Sequence, residues 1–257
     1  MNSAILTASG IHKSFPVDGG SIDVLHGVDL TIGDGEFVAV MGPSGSGKST
    51  LLYSVSGMDT VNAGTVVLDG VDLTALSPDE LADSRRQQMG FVFQQPTLLR
   101  DLDLLENIVL TSALDKVGTA AERVARAEEL MTRAGIWDLR DRLPTQVSGG
   151  QLQRAGICRA LMRGPDIVFG DEPTGSLNSS ASAEIMDLLS ELNAEGTTLM
   201  IVTHDVTVAA RADRVVFMSD GQVVEEVELR DIGVATTEAG SSARVDEVTR
   251  RLRGLGM

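Results

Sequence analysis

The stretch EFVAVMGPSGSGKSTLLYSVSG, residues 36–57, limits what this chain can fold into more than any other part of it. It begins as a compact apolar run with β-branched residues, which predicts a buried strand. The run enters a glycine-rich turn and then helical apolar spacing. Gly42, Pro43, Ser44, Gly45, Ser46, Gly47, Lys48 and Ser49 fit G-x-x-x-x-G-K-[ST], with Thr50 next, and the strand and helix that this pattern requires flank it. Glycines there let backbone N–H groups turn toward phosphate oxygens, which a Cβ would obstruct. Lys48 can reach the β and γ phosphates of a bound nucleotide, and the Ser49 hydroxyl can ligate Mg2+.

Around this unit the chain alternates strand and helix. AILTASGI, VDLTI, GTVVLDG and GFVFQ read as strands, and SPDELADSRRQQ opens a helix at Ser77 and Pro78. From Pro96 to Arg163, LDLLENIVLTSAL and AAERVARAEELMTRAG are helical by period, and no strand pattern interrupts them. PDIVFGDEP, TTLMIVT, RVVFMSDG and QVVEEVEL restore strand character, with the helical SASAEIMDLLSELNAEG among them. This alternation predicts an α/β fold with a mainly parallel sheet covered by helices. The core takes residues 1–94 and 164–230, with a helical lobe inserted over 95–163. Beyond it lie residues 231–257, in which the small, polar GVATTEAGSSA (233–243) reads as a linker. Val245, Val248, Leu252 and Leu255 then share one face of a possible short helix.

Composition bounds the function. A hydrophobic content of 42% supports a real core, and with only 3% aromatic residues that core must be aliphatic and Met-rich. The net charge of −16 argues against nucleic-acid binding, which needs a basic footprint, but not against nucleotide binding by local groups. The one cysteine, Cys158, excludes an internal disulfide and a multi-thiolate metal site. No stretch has the apolar length of a membrane span, and MNSAILTASGIHKSF lacks the pattern of a signal peptide. The expectation is a soluble, cytoplasmic protein, for which any membrane role must come through a partner.

Three strand ends supply chemistry beside the phosphate loop. DIVFGDEP carries Asp171 to the edge of the sheet where ligands bind, suited to hold Mg2+ through water. Glu172 follows, placed to polarise an attacking water. His204, in LMIVTHD, can donate a hydrogen bond to a γ-phosphate if its strand neighbours the phosphate-loop strand. Gln94, in GFVFQQP, is neutral and ligates Mg2+ weakly, so it suits a sensor better than an anchor.

A second glycine loop, VSGGQ, leads into a helix and could bind a γ-phosphate through Ser148, the Gly149 and Gly150 amides and the helix dipole. It has no lysine and lies in the helical lobe, to one side of the core's own nucleotide. The expectation is that two chains, head to tail, bring both loops onto one ATP.

In this order, GPSGSGKST, FVFQ, VSGGQ, IVFGDEPTGSLN and VTHD resemble the ATP-binding cassette (ABC) ATPases, over Phe15 to about Glu228. LSPDELADSRRQQMGFVFQQPTLL, DLLENIVL and DEPTGSLN are most similar to the subfamily of macrolide exporters, the lipoprotein-releasing ATPase and the related cell-division ATPase. The resemblance implies one ABC domain over residues 1–230: a P-loop NTPase core, an antiparallel β subdomain and an inserted helical subdomain. It implies an ATPase homodimer that sandwiches ATP with Mg2+ between one subunit's phosphate loop and the other's Ser148, Gly149, Gly150 and Gln151. Permease subunits would dock on the helical lobe near the glutamine loop, holding the protein on the inner face of the membrane.

Further roles are implied position by position. Phe15 falls where an aromatic stacks on adenine, Glu172 where the general base stands, and His204 where the γ-phosphate is sensed; Asp171 and Gln94 are magnesium-linked. Three positions depart from the family pattern. Val147 replaces a Leu before the signature, a small packing change. Gly170 precedes Asp171 in place of a bulkier residue, which predicts a looser strand end. Asn178 stands where an Asp helps connect the two nucleotide sites, so altered coupling between them is expected. The same motifs would also serve a regulatory ATP-dependent clamp that moves no solute.

Overall fold

The computed structural model describes residues 3–233 and 238–256. Two long strands, β1 (Ala4–Val17) and β2 (Gly20–Gly33), form an antiparallel hairpin closed at the pair Val17–Gly20. With β4 (Ala63–Leu68) and β5 (Val71–Asp72) they make a four-stranded antiparallel sheet in the order β2-β1-β4-β5. The second sheet holds β3 (Phe37–Met41), β6 (Met89–Phe93), β7 (Ile167–Asp171), β8 (Thr198–Val202), β9 (Arg214–Ser219) and β10 (Gln222–Glu228). Its order is β10-β9-β3-β8-β7-β6, parallel except for β10.

Strand alternation divides the core in two. Phe37, Ala39 and Met41 of β3, with Val168, Leu199, Ile201, Val215 and Phe217 of β7, β8 and β9, face a layer of helices. Val38 and Val40, with Ile167, Phe169, Met200, Val202, Val216 and Met218, face the antiparallel sheet and α1 (Lys48–Val55). Both faces of β3 are covered, which is why its five residues are all apolar and all buried.

Between β6 and β7 the chain is helical: α3 (Leu104–Leu114), α4 (Ala120–Arg133) and α5 (Gly149–Leu161). Each starts at a reciprocal cap between its N-cap residue and the third helical residue: Asp103 with Glu106, Thr119 with Glu122, Ser148 with Gln151. The helix α2 (Pro78–Gln88), which leads into β6, uses Ser77 and Glu80 in the same way. Buried Asn107 of α3 ties down the preceding loop by donating to the Leu99, Leu102 and Asp103 carbonyls and accepting from Leu99 N–H. The helices α6 (Ser179–Ala194) and α7 (Val206–Ala209) follow β7 and β8, so each of these two strand ends feeds a helix.

The last helix, α8 (Glu238–Gly254), is longer than the sequence pattern suggests. It takes in residues 238–243, which read as linker; the linker residues 234–237 lie outside the described residues. Tertiary anchoring overrides the weak local signal of small polar residues. Val248 is fully buried, Leu252 and Leu255 pack on the helical-side core, and the buried Arg244 donates to the Gly233 and Ala212 carbonyls.

Candidate active site

The phosphate loop is shaped by what surrounds it. Gly42 sits at φ +155, and a Cβ there would come within 2.1 Å of the Met218 carbonyl oxygen. Gly47, at φ +94, precedes α1 under Leu25 and the Val24 carbonyl, at 3.0 and 3.1 Å from the Cβ it lacks. No side chain caps α1, so its first amides face the loop without a protein partner of that kind. Ser46 Oγ is buried and has no hydrogen-bond partner, an orphan polar atom of the sort a phosphate oxygen satisfies.

Lys48 is buried, and its ammonium donates to the Gly42 and Pro43 carbonyls at 2.9 and 2.8 Å. Burial pushes its pKa down, while the charges of Glu172 and Asp171 work against that fall. Ser49 Oγ donates to Asp171 Oδ1 at 2.9 Å. The Tyr53 hydroxyl donates to Asp171 Oδ2 at 2.6 Å. Its own pKa rises to about 12, through burial first and then the bond to Asp171. A hydroxyl and a carboxylate at hydrogen-bond distance are hard oxygen donors, and Mg2+ is typically held by one or two carboxylates plus substrate phosphates. The donor set therefore fits Mg2+ arriving with a nucleotide.

Sheet order brings the other residues in. Strand β8 lies between β3 and β7, so Asp171, Glu172 and His204 emerge beside the phosphate loop at adjoining strand ends. A cavity of ≈ 500 Å³ is lined by Ser44, Gly45, Gly47, Lys48, Ser49 and Thr50, with Val24, Glu172 and His204. His204 Nδ1 stands 2.7 Å from Glu172 Oε1. Glu172 itself has φ +49, unusual for a residue with a Cβ, and its N–H donates to the Val202 carbonyl at 2.9 Å. Backbone strain of this kind clusters at functional sites.

The remaining sequence-predicted residues fall into three places. Gln94 follows β6, and its side chain lies against Gly175, where a Cβ would meet Gln94 Nε2 at 3.0 Å and Glu172 Cβ at 3.4 Å. Phe15 lies in β1, 39% exposed, with the Lys13 ammonium 4.8 Å from its ring centroid. Ser148, Gly149, Gly150 and Gln151 line a different cavity of ≈ 450 Å³ with Arg154 and Asn178, sharing no residue with the phosphate-loop cavity. The chain thus brings the phosphate loop, Asp171, Glu172 and His204 together, and keeps the second glycine loop apart.

Of the three departures, Val147 is partly buried against the helical-side core. Gly170 does not loosen β7: it stays paired with Val92 and Ile201, and Ile201 Cγ1 lies 3.1 Å from the Cβ position. Asn178 caps α6, its Oδ1 accepting from Ala181 N–H at 2.9 Å, a task Asn and Asp perform about equally. Sequence reasoning missed Tyr53. Its signal was the spacing from Ser49, one helical turn on the same face of α1.

Residues 25–175 match the family model described as ABC transporter. The chain belongs to the ABC transporter family. A bacitracin export ATP-binding protein of Halalkalibacterium halodurans is 39% identical over 89% of this chain and 90% of its own length. A macrolide export ATP-binding/permease protein of Bradyrhizobium diazoefficiens is 43% identical over 99% of this chain and 39% of its own length. This cassette therefore spans about two fifths of the macrolide export relatives it matches. The dimeric post-hydrolysis structure of the ATP-binding cassette MJ0796, bound to ADP and Pi, aligns at a TM-score of 0.81 with 39% identity, over 88% of this chain and 99% of that one. The chain is an ABC ATPase cassette, with the mainly parallel sheet, antiparallel sheet and helical layer of that fold.

Proposed function

We propose that this cassette binds and hydrolyses ATP as a homodimer, each nucleotide lying between the phosphate loop of one copy and Ser148–Gly150 of the other, and that it drives a membrane permease. The observation that carries this reading is the separation of two anion-binding elements into cavities with no lining residue in common. The start of α5 is ready for a ligand from outside its own chain. Ser148 Oγ accepts from Gln151 N–H at 3.3 Å, which leaves its hydroxyl proton to donate. That MJ0796 is dimeric with ADP and Pi bound supports the homodimer in this reading.

Within each site, Lys48 turns from the Gly42 and Pro43 carbonyls to the β and γ phosphates. Ser49 and Asp171, with Gln94 from the end of β6, hold Mg2+, which supplies charge neutralisation for the phosphates when bound. Phe15 stacks on adenine. Glu172 accepts a proton from the attacking water, and His204 orients that carboxylate. Its neutral imidazole carries a single N–H. Donation from Nδ1 to Glu172 therefore leaves Nε2 an acceptor, and a γ-phosphate contact through Nε2 needs the other tautomer or the imidazolium.

No described helix is long and apolar enough to cross a membrane. Membrane attachment, on the cytoplasmic face, then comes from the permease, which the Bradyrhizobium relative's name includes in the same protein. The cleft between α2, β6 and α5, floored by Met89, Phe91 and Phe93 beside Gln94 and rimmed by Arg85 and Arg159, is the docking place this reading gives it. Export is favoured over a clamp that moves no solute because the relatives are named as exporters.

The test is Ser148→Asp. An Asp caps α5 as well as a Ser does, yet sets a negative charge where the partner's γ-phosphate must approach. ATP binding by the separate chain should stay near wild type while turnover falls by about 10²-fold or more. Loss of ATP binding itself, with the fold preserved, would show that the two loops serve one chain's nucleotide.

A further inference from the structure

The Tyr53 hydroxyl belongs to none of the sequence motifs, yet it makes the shortest hydrogen bond to Asp171. Tyr53 and Ser49 stand one turn apart on α1, and each holds a different oxygen of the same carboxylate: Ser49 Oγ to Oδ1 at 2.9 Å, Tyr53 OH to Oδ2 at 2.6 Å. Two donors from one rigid helix fix the plane of a carboxylate, where one would leave it free to turn. The Ser49 bond is the expendable one, because the serine oxygen is itself a donor atom for the metal. Once Ser49 is so engaged, the Tyr53 bond remains to keep Oδ2 occupied and Oδ1 toward Ser49.

We propose that Tyr53 is a positioning residue for Asp171, acting through its hydroxyl to orient the carboxylate on which Mg2+ with nucleotide depends. This rests on the reading of Asp171 as a magnesium-linked residue given above. Tyr53 does not touch nucleotide or metal in this account; it sets the direction of a group that does. Hydrogen-bonding partners behind a metal-linked side chain commonly change metal affinity by about 10–100-fold when removed.

The test compares Tyr53→Phe, which removes one oxygen atom and keeps the ring, with Asp171→Asn and wild type. A fluorescent, non-hydrolysable ATP analogue is titrated into each full-length protein with EDTA and with saturating Mg2+. The quantity read is the ratio of the two Kd values, the gain in nucleotide affinity that Mg2+ confers. Tyr53→Phe should lower this ratio by about 10-fold while leaving the EDTA value near wild type. A merely structural role for Tyr53 would weaken both Kd values together and leave the ratio in place.

An unchanged ratio in Tyr53→Phe, with Asp171→Asn strongly reduced, overturns the positioning role alone. An unchanged ratio in Asp171→Asn overturns the metal reading beneath it. Should Tyr53→Phe fold poorly, biosynthetic 3-fluorotyrosine labels this site alone, since the chain has one tyrosine. Its fluorine resonance should then move on Mg2+ addition to the nucleotide-bound protein and stay still in Asp171→Asn. A resonance that ignores Mg2+ in the otherwise wild-type protein counts against the proposal.

Discussion

Replacing Glu172 by Gln separates the chemistry of this site from its architecture. The backbone at Glu172 is pinned from three directions that do not involve its charge: β7 ends just before it, its N–H donates to Val202 at 2.9 Å, and its carbonyl accepts from Gly175 N–H at 3.0 Å. The positive φ costs on the order of 1–3 kcal/mol, but Glu and Gln bear it alike, so it cancels in the comparison. The contact with His204 Nδ1, 2.7 Å in the native chain, is available to an amide oxygen as well. What disappears is the ability to accept a proton from water. General-base catalysis contributes about 10²–10⁴-fold. That corresponds to about 3–5.5 kcal/mol on the barrier at about 1.4 kcal/mol per factor of ten. Steady-state phosphate release at saturating Mg-ATP should show this fall in kcat, with thermal stability and ATP affinity near wild type. Gel filtration with ATP should show a dimer accumulating, because the sandwich forms and does not turn over. A kcat within about fivefold of wild type would refute the assignment of Glu172 as base.

Other consequences can be read from the same structure. Arg214, 8% exposed, pairs with the buried Glu36 at 2.8 and 3.1 Å and with Glu226 at 2.6 Å, so Arg214→Met strands a carboxylate and should cost about 3–5 kcal/mol. Thermal unfolding should show this as a drop of about 10 °C in Tm. Asn178→Ala removes the α6 cap and should cost about 1 kcal/mol in denaturant melts, whereas Asn178→Asp should be close to neutral. Burial pushes the Cys158 thiol up to about 12 from its ordinary 9.0, so native protein at pH 8 should resist maleimide until it is unfolded. The folded chain keeps a proton that the unfolded chain releases, so this group's contribution to stability is present below pH 9 and declines between pH 9 and about 12.

The parts of the fold that the sequence displays best are those with one physical requirement. The run FVAVM reads as a strand buried on both faces, and Gly42 after it answers to a carbonyl 2.1 Å from where a side chain would begin. Asp171, Glu172 and His204 are legible for the same reason: apolar strands carry polar residues to their ends. The β1–β2 hairpin is less legible, reading as short separate strands. The end of β1 near the turn, Phe15–Val17, is exposed, and bulges near Ala8–Ile11 and Lys13–Ser14 scramble the alternation before it. The better signal was Asp18-Gly19 at the turn, with Gly19 at φ +91. Strand order is not written locally at all. That β8 sits between β3 and β7, bringing His204 within reach of Glu172, is a property of the assembled sheet. Nor does local composition reveal that residues 238–243 are helical, because their structure depends on where Arg244 and Val248 dock.

The shared-site claim has its most direct test in a mixture of two inactive variants. Lys48→Ala disables the phosphate loop of its own chain, and Ser148→Asp disables the signature it offers to a partner. A dimer of one copy of each contains one site with both defects and one with neither. Random pairing makes half of the dimers mixed, so mixing equal amounts should restore about a quarter of the wild-type ATPase rate per chain if sites turn over independently. Mixed dimers shown to form by fluorescence transfer, yet with no activity beyond the sum of the separate variants, would contradict the account.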